Sequence, residues 1–300
     1  MFKKIFFPLL LGLTFLQAPE VRACDACGCG VGSYQFGILP QQARNFAGIR
    51  YQYKTDHSTP HHDLKTSETF RTTEFWGRFY PTKKIQVFAI LPYNFNEQTI
   101  EKTTTNVHGL GDALILANYN LINNTDSLYE NVKHNLLLGG GVKLATGKYN
   151  RQTEGNTLNP NLQLGSGSYD FVANAIYTIR YNQIGLNSDI SCKYNTANQD
   201  EFRFGNKLVA SSRLFSVLKI KESALMPNAG ISTERTAKDT HYGSTLKESG
   251  GYANFLNLGT EAYFKKLSTG FTFQKPISQH LSEGFVETGN RWMTHLTYMF

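Results

Sequence analysis

The sequence predicts an all-β fold: a transmembrane, antiparallel, up-and-down β-barrel of about 12 strands, of the bacterial outer-membrane type. Three observations carry that expectation. The chain opens on an export signal. Segments of about 10 residues alternate apolar with polar or small residues through most of its length. The chain closes on Arg291-Trp-Met-Thr-His-Leu-Thr-Tyr-Met-Phe300, an alternating strand that ends in an aromatic residue.

At the N-terminus, Lys3 and Lys4 precede the apolar stretch Ile5–Leu16, and Val21-Arg22-Ala23 places small or β-branched residues where a signal peptidase reads. Residues 1–23 are therefore expected to be a secretory signal peptide, 24–41 a cysteine-rich segment serving as tether or plug, and 42–300 the barrel. Behind the signal no apolar run approaches the ~18 residues of a transmembrane helix, and no segment shows a convincing amphipathic helical period. Composition points the same way: 16 Tyr, 21 Phe and 26 Gly accompany a charged fraction of only 18%, low for a soluble domain. Lys3, Lys4 and Arg22 against Glu20 account for +2 of the formal +7. The remaining excess suits a mildly cationic lumen or anionic lipid headgroups and does not suggest nucleic acid.

The strands expected in order are Ala43–Lys54, Thr69–Tyr80, Ile85–Phe95, Gly111–Ile122, Lys133–Thr146, Tyr169–Tyr181, Ile184–Asn195, Phe202–Leu218, Ser223–Arg235, Tyr252–Phe264, Leu267–Lys275 and Arg291–Phe300. Long gaps at His57–Ser67, Asn96–His108, Gly147–Ser168, Thr236–Gly251 and Pro276–Asn290 read as external loops. Pro81–Lys84, Asn182-Gln183, Lys219–Glu222 and Lys265-Lys266 read as short periplasmic turns. Asn195–Glu201 is a brief external loop and Asn123–Glu130 a long periplasmic turn. The resulting parity puts both termini in the periplasm of an outer-membrane protein.

In Ile184–Asn195 one parity reads Ile, Leu, Ser, Ile, Cys, Tyr and the other Gly, Asn, Asp, Ser, Lys, Asn. The first suits lipid and includes Cys192. The second suits a wet lumen and places Asp189 and Lys193 there, as an ion-pair network in the wall or as solute-selecting charges. Cys24-Asp-Ala-Cys27-Gly-Cys29 brings three thiols within six residues. Cys24, Cys27 and Cys29 can converge on a soft cation, Cu or Zn, with Asp25 or the amine of Cys24 completing the shell; disulfide formation and lipidation of Cys24 are the competing uses. His57, His61 and His62, with Asp56 and Asp63, form a second, weaker metal candidate in the first external loop. It lies across the membrane from the cysteines. No phosphate loop, nucleophile elbow or His-Glu-x-x-His motif occurs, so no catalytic machinery is expected.

Gly109-Leu-Gly-Asp112, Gly140-Gly-Val-Lys-Leu-Ala-Thr-Gly-Lys148 and Leu164-Gly-Ser-Gly-Ser-Tyr-Asp170 form a series over about Gly109 to Asn195. It resembles the outer-membrane transporter family of the MetA pathway of phenol degradation, with Ala145 where that pattern has proline before Thr-Gly. The resemblance implies a barrel and passage of small solutes, hydrophobic or aromatic. It also draws attention to Gly109, Asp112, Thr146, Gly147 and Asp170, which physically read first as architecture, with glycines at bends and aspartates bonding free amides.

The function expected is a channel or transporter in contact with outer-membrane lipid and carrying small solutes. A periplasmic metal or redox module built on the cysteines, and a structural or adhesive barrel without transport, stand as alternatives. The oligomeric state is open.

Overall fold

The structure, a computed structural model, describes residues 44–59, 65–124, 131–149, 152–153, 156–157 and 159–300. Its wall is a closed, antiparallel barrel of 12 strands: β1 (Phe46–Ser58), β2 (Thr66–Thr82), β3 (Ile85–Ile100), β4 (Thr103–Leu110 and, after a break, Leu114–Asn123), β5 (Val132–Lys143), β6 (Asp170–Tyr181), β7 (Ile184–Tyr194), β8 (Lys207–Ser216, prolonged by Leu218–Ile220), β9 (Ser223–Thr236), β10 (Gly251–Phe264), β11 (Leu267–Leu281) and β12 (Val286–Met299). Each strand pairs with its sequence neighbours, and β1 closes on β12 with Phe46 opposite Met299. Closure leaves no unpaired edge, so backbone polar groups are satisfied within the wall, as a hydrocarbon solvent demands.

Two ends of the barrel differ. At one, Lys83-Lys84, Asn182-Gln183, Lys221-Glu222 and Lys265-Lys266 make tight hairpin turns. Asn182, Lys221 and Lys265 take φ near +50° there, because a two-residue turn needs a left-handed residue to match the twist of its strands. Phe46 and Met299 lie at this turn end. The other end carries the longer connections, among them a small sheet of Phe202–Arg203, Thr240–His241 and Ser244–Thr245.

Side chains alternate across the wall as the pleat requires. Ile49, Phe75, Phe171, Leu214, Ile231 and Leu296 point outward and are exposed, forming an apolar face suited to lipid. Inward positions are buried and mixed. Nearest the termini, Phe46 packs edge-on against Trp76 at 4.7 Å and Phe88 at 6.3 Å. Farther round, amides form a ladder across strands: Asn174 Nδ2 donates to Asn118 Oδ1 at 2.9 Å, Asn118 Nδ2 to Gln86 Oε1 at 3.3 Å, and Gln86 Nε2 to the Tyr80 hydroxyl at 2.6 Å.

Several expected boundaries are corrected. Asn96–His108 is not a loop: β3 runs to Ile100, turns at Glu101-Lys102 and returns as β4 from Thr103, with Glu101 at φ 53°. Most of Pro276–Asn290 is likewise strand, since β11 reaches Leu281 and β12 starts at Val286. Where hairpins rise past the apolar outer band both faces meet polar surroundings, and the alternation that marks a strand in sequence disappears. Phe202 and Arg203 leave the wall, which resumes at Lys207. His57 belongs to β1 rather than a loop, and Asp56, the residue before it, faces inward and is buried.

The barrel interior and its loop-end mouth as candidate functional site

The glycine-rich series converges at the loop end around a buried lysine. Lys143, the last residue of β5, places Nζ 2.6 Å from Asp112 Oδ2, 3.0 Å from Asp170 Oδ2 and 2.9 Å from the Ser168 carbonyl, and it also donates to Ser166 Oγ. Each carboxylate is satisfied further. Asp112 accepts the backbone N–H groups of Gly147 and Ser166, both at 2.9 Å. Asp170 accepts Ser168 Oγ at 2.9 Å and the Thr196 N–H at 3.1 Å. Thr146 Oγ1 accepts the Ala113 N–H at 2.8 Å and donates to the Gly111 carbonyl at 2.9 Å, tying β5 to the break in β4.

The glycines make this closeness feasible. A Cβ on Gly147 would stand 2.8 Å from Gly165 Cα, too near for any side chain. Gly109, at φ +148°, has Leu164 against it. The Lys143 network folds the 159–168 segment into the mouth. Asn96 Nδ2 donates to the Leu162 carbonyl at 3.1 Å and Asn94 Nδ2 to that of Leu164 at 3.4 Å, while Leu162 and Leu164 bury themselves with Val107. Because Asn94 and Asn96 are inward positions of β3, this connection lies across the inside of the wall and not above it.

Below the mouth most inward charges are paired. Arg50 binds Glu74 and lies 4.7 Å over the Trp76 ring. Glu234 sits between Lys207 at 3.0 Å and Arg291 at 2.8 Å, and Arg291 covers Phe255. Lys54 pairs with Asp56 at 3.0 Å. On β7 the alternation places Ile184, Leu186, Ile190, Cys192 and Tyr194 outward, and Asn187 and Ser191 inward with Asp189 and Lys193. Asp189 accepts Ser211 Oγ across the β7–β8 pair, and Lys193 stands opposite Lys207. The two residues thus share a face, but Asp189 takes a hydroxyl partner.

A different arrangement occupies the inner face of β8–β12. Arg213 is buried, yet its Nε and Nη2 have no hydrogen-bond partner; Asn228 Oδ1 also has none, and His295 Nε2 has only the Glu261 carboxylate, beyond hydrogen-bond distance. Asn228 is the diagonal neighbour of Arg213, since Phe215 opposes Asn228 and Arg213 opposes Gly230. Glu261, which accepts the Tyr263 hydroxyl at 3.2 Å, lies 3.7 Å from His295. Gly230, Gly259 and Gly270 between these residues give the large side chains room to lie along the wall: a Cβ on Gly230 would meet Arg213 Cγ at 2.9 Å.

Lys143, Ser166, Arg213, Glu261 and His295 are thus added to the residues singled out from sequence. Cys24, Cys27, Cys29, His61, His62 and Asp63 lie outside the described residues. Among the described residues no group of three or more His, Cys, Asp or Glu could hold a metal ion, and Cys192 is free and exposed on the outer face.

No family model and no curated protein matches the chain. Among solved structures it is similar to an outer membrane channel from Pseudomonas putida F1, with a TM-score of 0.66 and 13% identity over 90% of this chain and 100% of that one. A weaker likeness is to the β domain of the Bordetella autotransporter BrkA, with a TM-score of 0.49 and 11% identity over 86% of this chain and 100% of that one. The similarity to the Pseudomonas channel is one of fold, and with the closed wall, the apolar outer face and the polar inner one it makes this chain an antiparallel 12-stranded β-barrel of the bacterial outer-membrane kind.

Proposed function

We propose that the chain is an outer-membrane channel for small solutes, with its turn end and both termini in the periplasm and the 159–168 connection narrowing the external mouth. The observation that carries this reading is the contrast between the two faces of the wall. The outer face is apolar around the barrel, while the inner face holds Asn and Gln ladders, paired charges and unpartnered polar atoms. A barrel that served only as an anchor has no need to bury such groups, whose desolvation is costly. The likeness in fold to an outer membrane channel, and the resemblance of the 109–195 region to a family of outer-membrane transporters, agree with it. Orientation follows the usual pattern of short periplasmic and long external connections.

The test is permeation. Purified barrel in planar bilayers is expected to give discrete conductance steps, and proteoliposomes to swell in small neutral or charged solutes. A folded, heat-modifiable barrel inert in both assays would remove the channel reading. Protease added outside intact cells is expected to cleave near Tyr242, which is 72% exposed on the small loop sheet, and to leave the lysine-bearing turns intact.

A further inference from the structure

We infer that the lysine-bearing turns form a binding surface for anionic phospholipid headgroups. Three hairpin turns each carry two exposed lysines: Lys83-Lys84 after β2, Lys219 with Lys221 after β8, and Lys265-Lys266 after β10. Because β1 closes on β12, these turns and Arg44 at the start of β1 follow one another round the barrel in a single arc from β8 through β12 to β3. Arg44 Nη1 reaches the Lys265 carbonyl at 3.5 Å, which ties it to the neighbouring turn. Among the described residues the acidic side chain in these turns is Glu222, paired with Lys265 at 3.2 Å, and the other five lysines have no carboxylate partner. With the terminal carboxylate of Phe300 counted as well, seven cations face two acids along the arc. Asp126 and Glu130 belong to the β4–β5 connection and lie outside the described residues.

Two features favour lipid over a soluble acidic partner. Each lysine pair is fixed at the edge of the apolar outer face: exposed Ile85 follows Lys84, exposed Ile220 lies between Lys219 and Lys221, and exposed Phe264 and Leu267 flank Lys265-Lys266. So tight a turn holds its charges within about one side-chain length of the hydrocarbon, where a lysine keeps its stem against apolar surface and its ammonium at headgroup depth. Lys84 and Lys266 show that posture, with Nζ 6.0 Å and 5.9 Å from the ring centres of Tyr119 and Tyr298 on the outer face. Tyrosines of this kind mark the layer between hydrocarbon and water. At the loop end, by contrast, the two signs are mixed: Arg71 binds Glu97, Lys238 binds Glu283, and Lys102 and Lys247 adjoin Glu101 and Glu248. Anionic lipid therefore gathers at the turn end, which on the orientation proposed above is the periplasmic leaflet.

The experiment places the full folded barrel in phosphatidylcholine vesicles with a trace of spin-labelled phosphatidylglycerol or spin-labelled phosphatidylcholine, and reads the fraction of each held at the protein surface. The wild type is expected to prefer phosphatidylglycerol by about two- to fivefold at low salt. At about 1 M salt, where the Debye length is ~3 Å, the preference should vanish. The triple variant Lys84→Gln, Lys219→Gln, Lys266→Gln is expected to lose most of it, whereas the loop-end control Lys65→Gln, Lys102→Gln, Lys247→Gln keeps it. All six side chains are exposed, so both variants should fold, as heat-modifiability would verify. No preference in the wild type overturns the inference and turns the arc over to a soluble acidic partner; a preference kept by the turn variant, or lost equally in both variants, overturns it too. Planar bilayers separate this surface from the channel reading: lipid preference in a barrel without conductance keeps the surface and removes transport, and conductance without lipid preference does the reverse.

Discussion

Lys143 and Arg213 are both buried cations on the inner face of one barrel, and their surroundings are opposite. Lys143 reaches two carboxylates, a hydroxyl and a carbonyl, and those carboxylates are themselves capped by backbone amides. Arg213 keeps two guanidinium nitrogens unpartnered beside acids engaged elsewhere. A satisfied network in a low-dielectric interior rigidifies what it joins, and the Lys143 network joins the break in β4, the end of β5 and the start of β6. An unsatisfied one leaves the cost of burying its polar atoms without the offset of a hydrogen bond. The glycine-rich series is thus tied together at the mouth by the Lys143 network, whereas the inner wall of β8–β12 holds buried polar atoms without hydrogen bonds.

The sharpest way to break this contrast is to remove each cation. Lys143→Met leaves Asp112 and Asp170 buried together without their counter-ion and is expected to cost about 3–5 kcal/mol. Urea unfolding of the barrel in detergent or lipid would read it, with the 159–168 connection becoming cleavable by protease. Arg213→Met also leaves the buried Asp189 and Glu261 without the charge that offsets theirs, but it breaks no hydrogen bond of Nε or Nη2, and is expected to cost less than Lys143→Met. If the two substitutions destabilised alike, the contrast between a fully hydrogen-bonded cation and one held only by neighbouring charge would fail.

Gly147→Val probes the Lys143 network without touching a charge. Its side chain would collide with Gly165 Cα and the Leu164 carbonyl, each 2.8 Å from the first added atom. Overpacking of this kind is expected to cost about 1–3 kcal/mol. Thr146→Val is smaller still: it keeps the shape but loses the Ala113 and Gly111 bonds, for about 1 kcal/mol.

These residues also show what was legible beforehand. Strands were legible wherever one face meets lipid, because the pleat then writes apolar and polar on alternate positions; β7 is the plain example, with Ile190 and Cys192 outward and Asn187 and Ser191 inward. Legibility ended where hairpins leave lipid, as at Glu97–Val107, whose Thr and Asn residues carry no contrast between faces. Gly109, Asp112, Thr146, Gly147 and Asp170 stood out through their glycine-rich setting. Lys143 sat inside that series but gave no sign of its two partners, because Asp112 and Asp170 lie 31 and 27 residues away. Arg213 was less visible again. Its inward parity follows from alternation on β8, but the lack of a hydrogen bond at Nε and Nη2 depends on how Ser211 and Tyr263 have engaged the neighbouring acids.

The smallest expected effect lies outside the membrane, where Lys238 from the β9–β10 connection binds Glu283 in the turn between β11 and β12 and also donates to the Lys247 carbonyl at 2.9 Å. The Lys238 hydrogen bond, and then its charge, hold the Glu283 carboxyl below its ordinary range. A carboxyl depressed in the folded state adds stability that is present above its unfolded pKa and is lost as pH falls through the folded one. Lys238→Ala should therefore remove a slight pH dependence below about pH 4.5 and leave the neutral-pH midpoint nearly unchanged, since water and salt screen an exposed pair. Parallel melts of wild type and variant at pH 7 and pH 4 would read the difference, and a loss at pH 7 as large as that of Thr146→Val would mean that the loops, and not only the buried Lys143 network, hold the mouth in place.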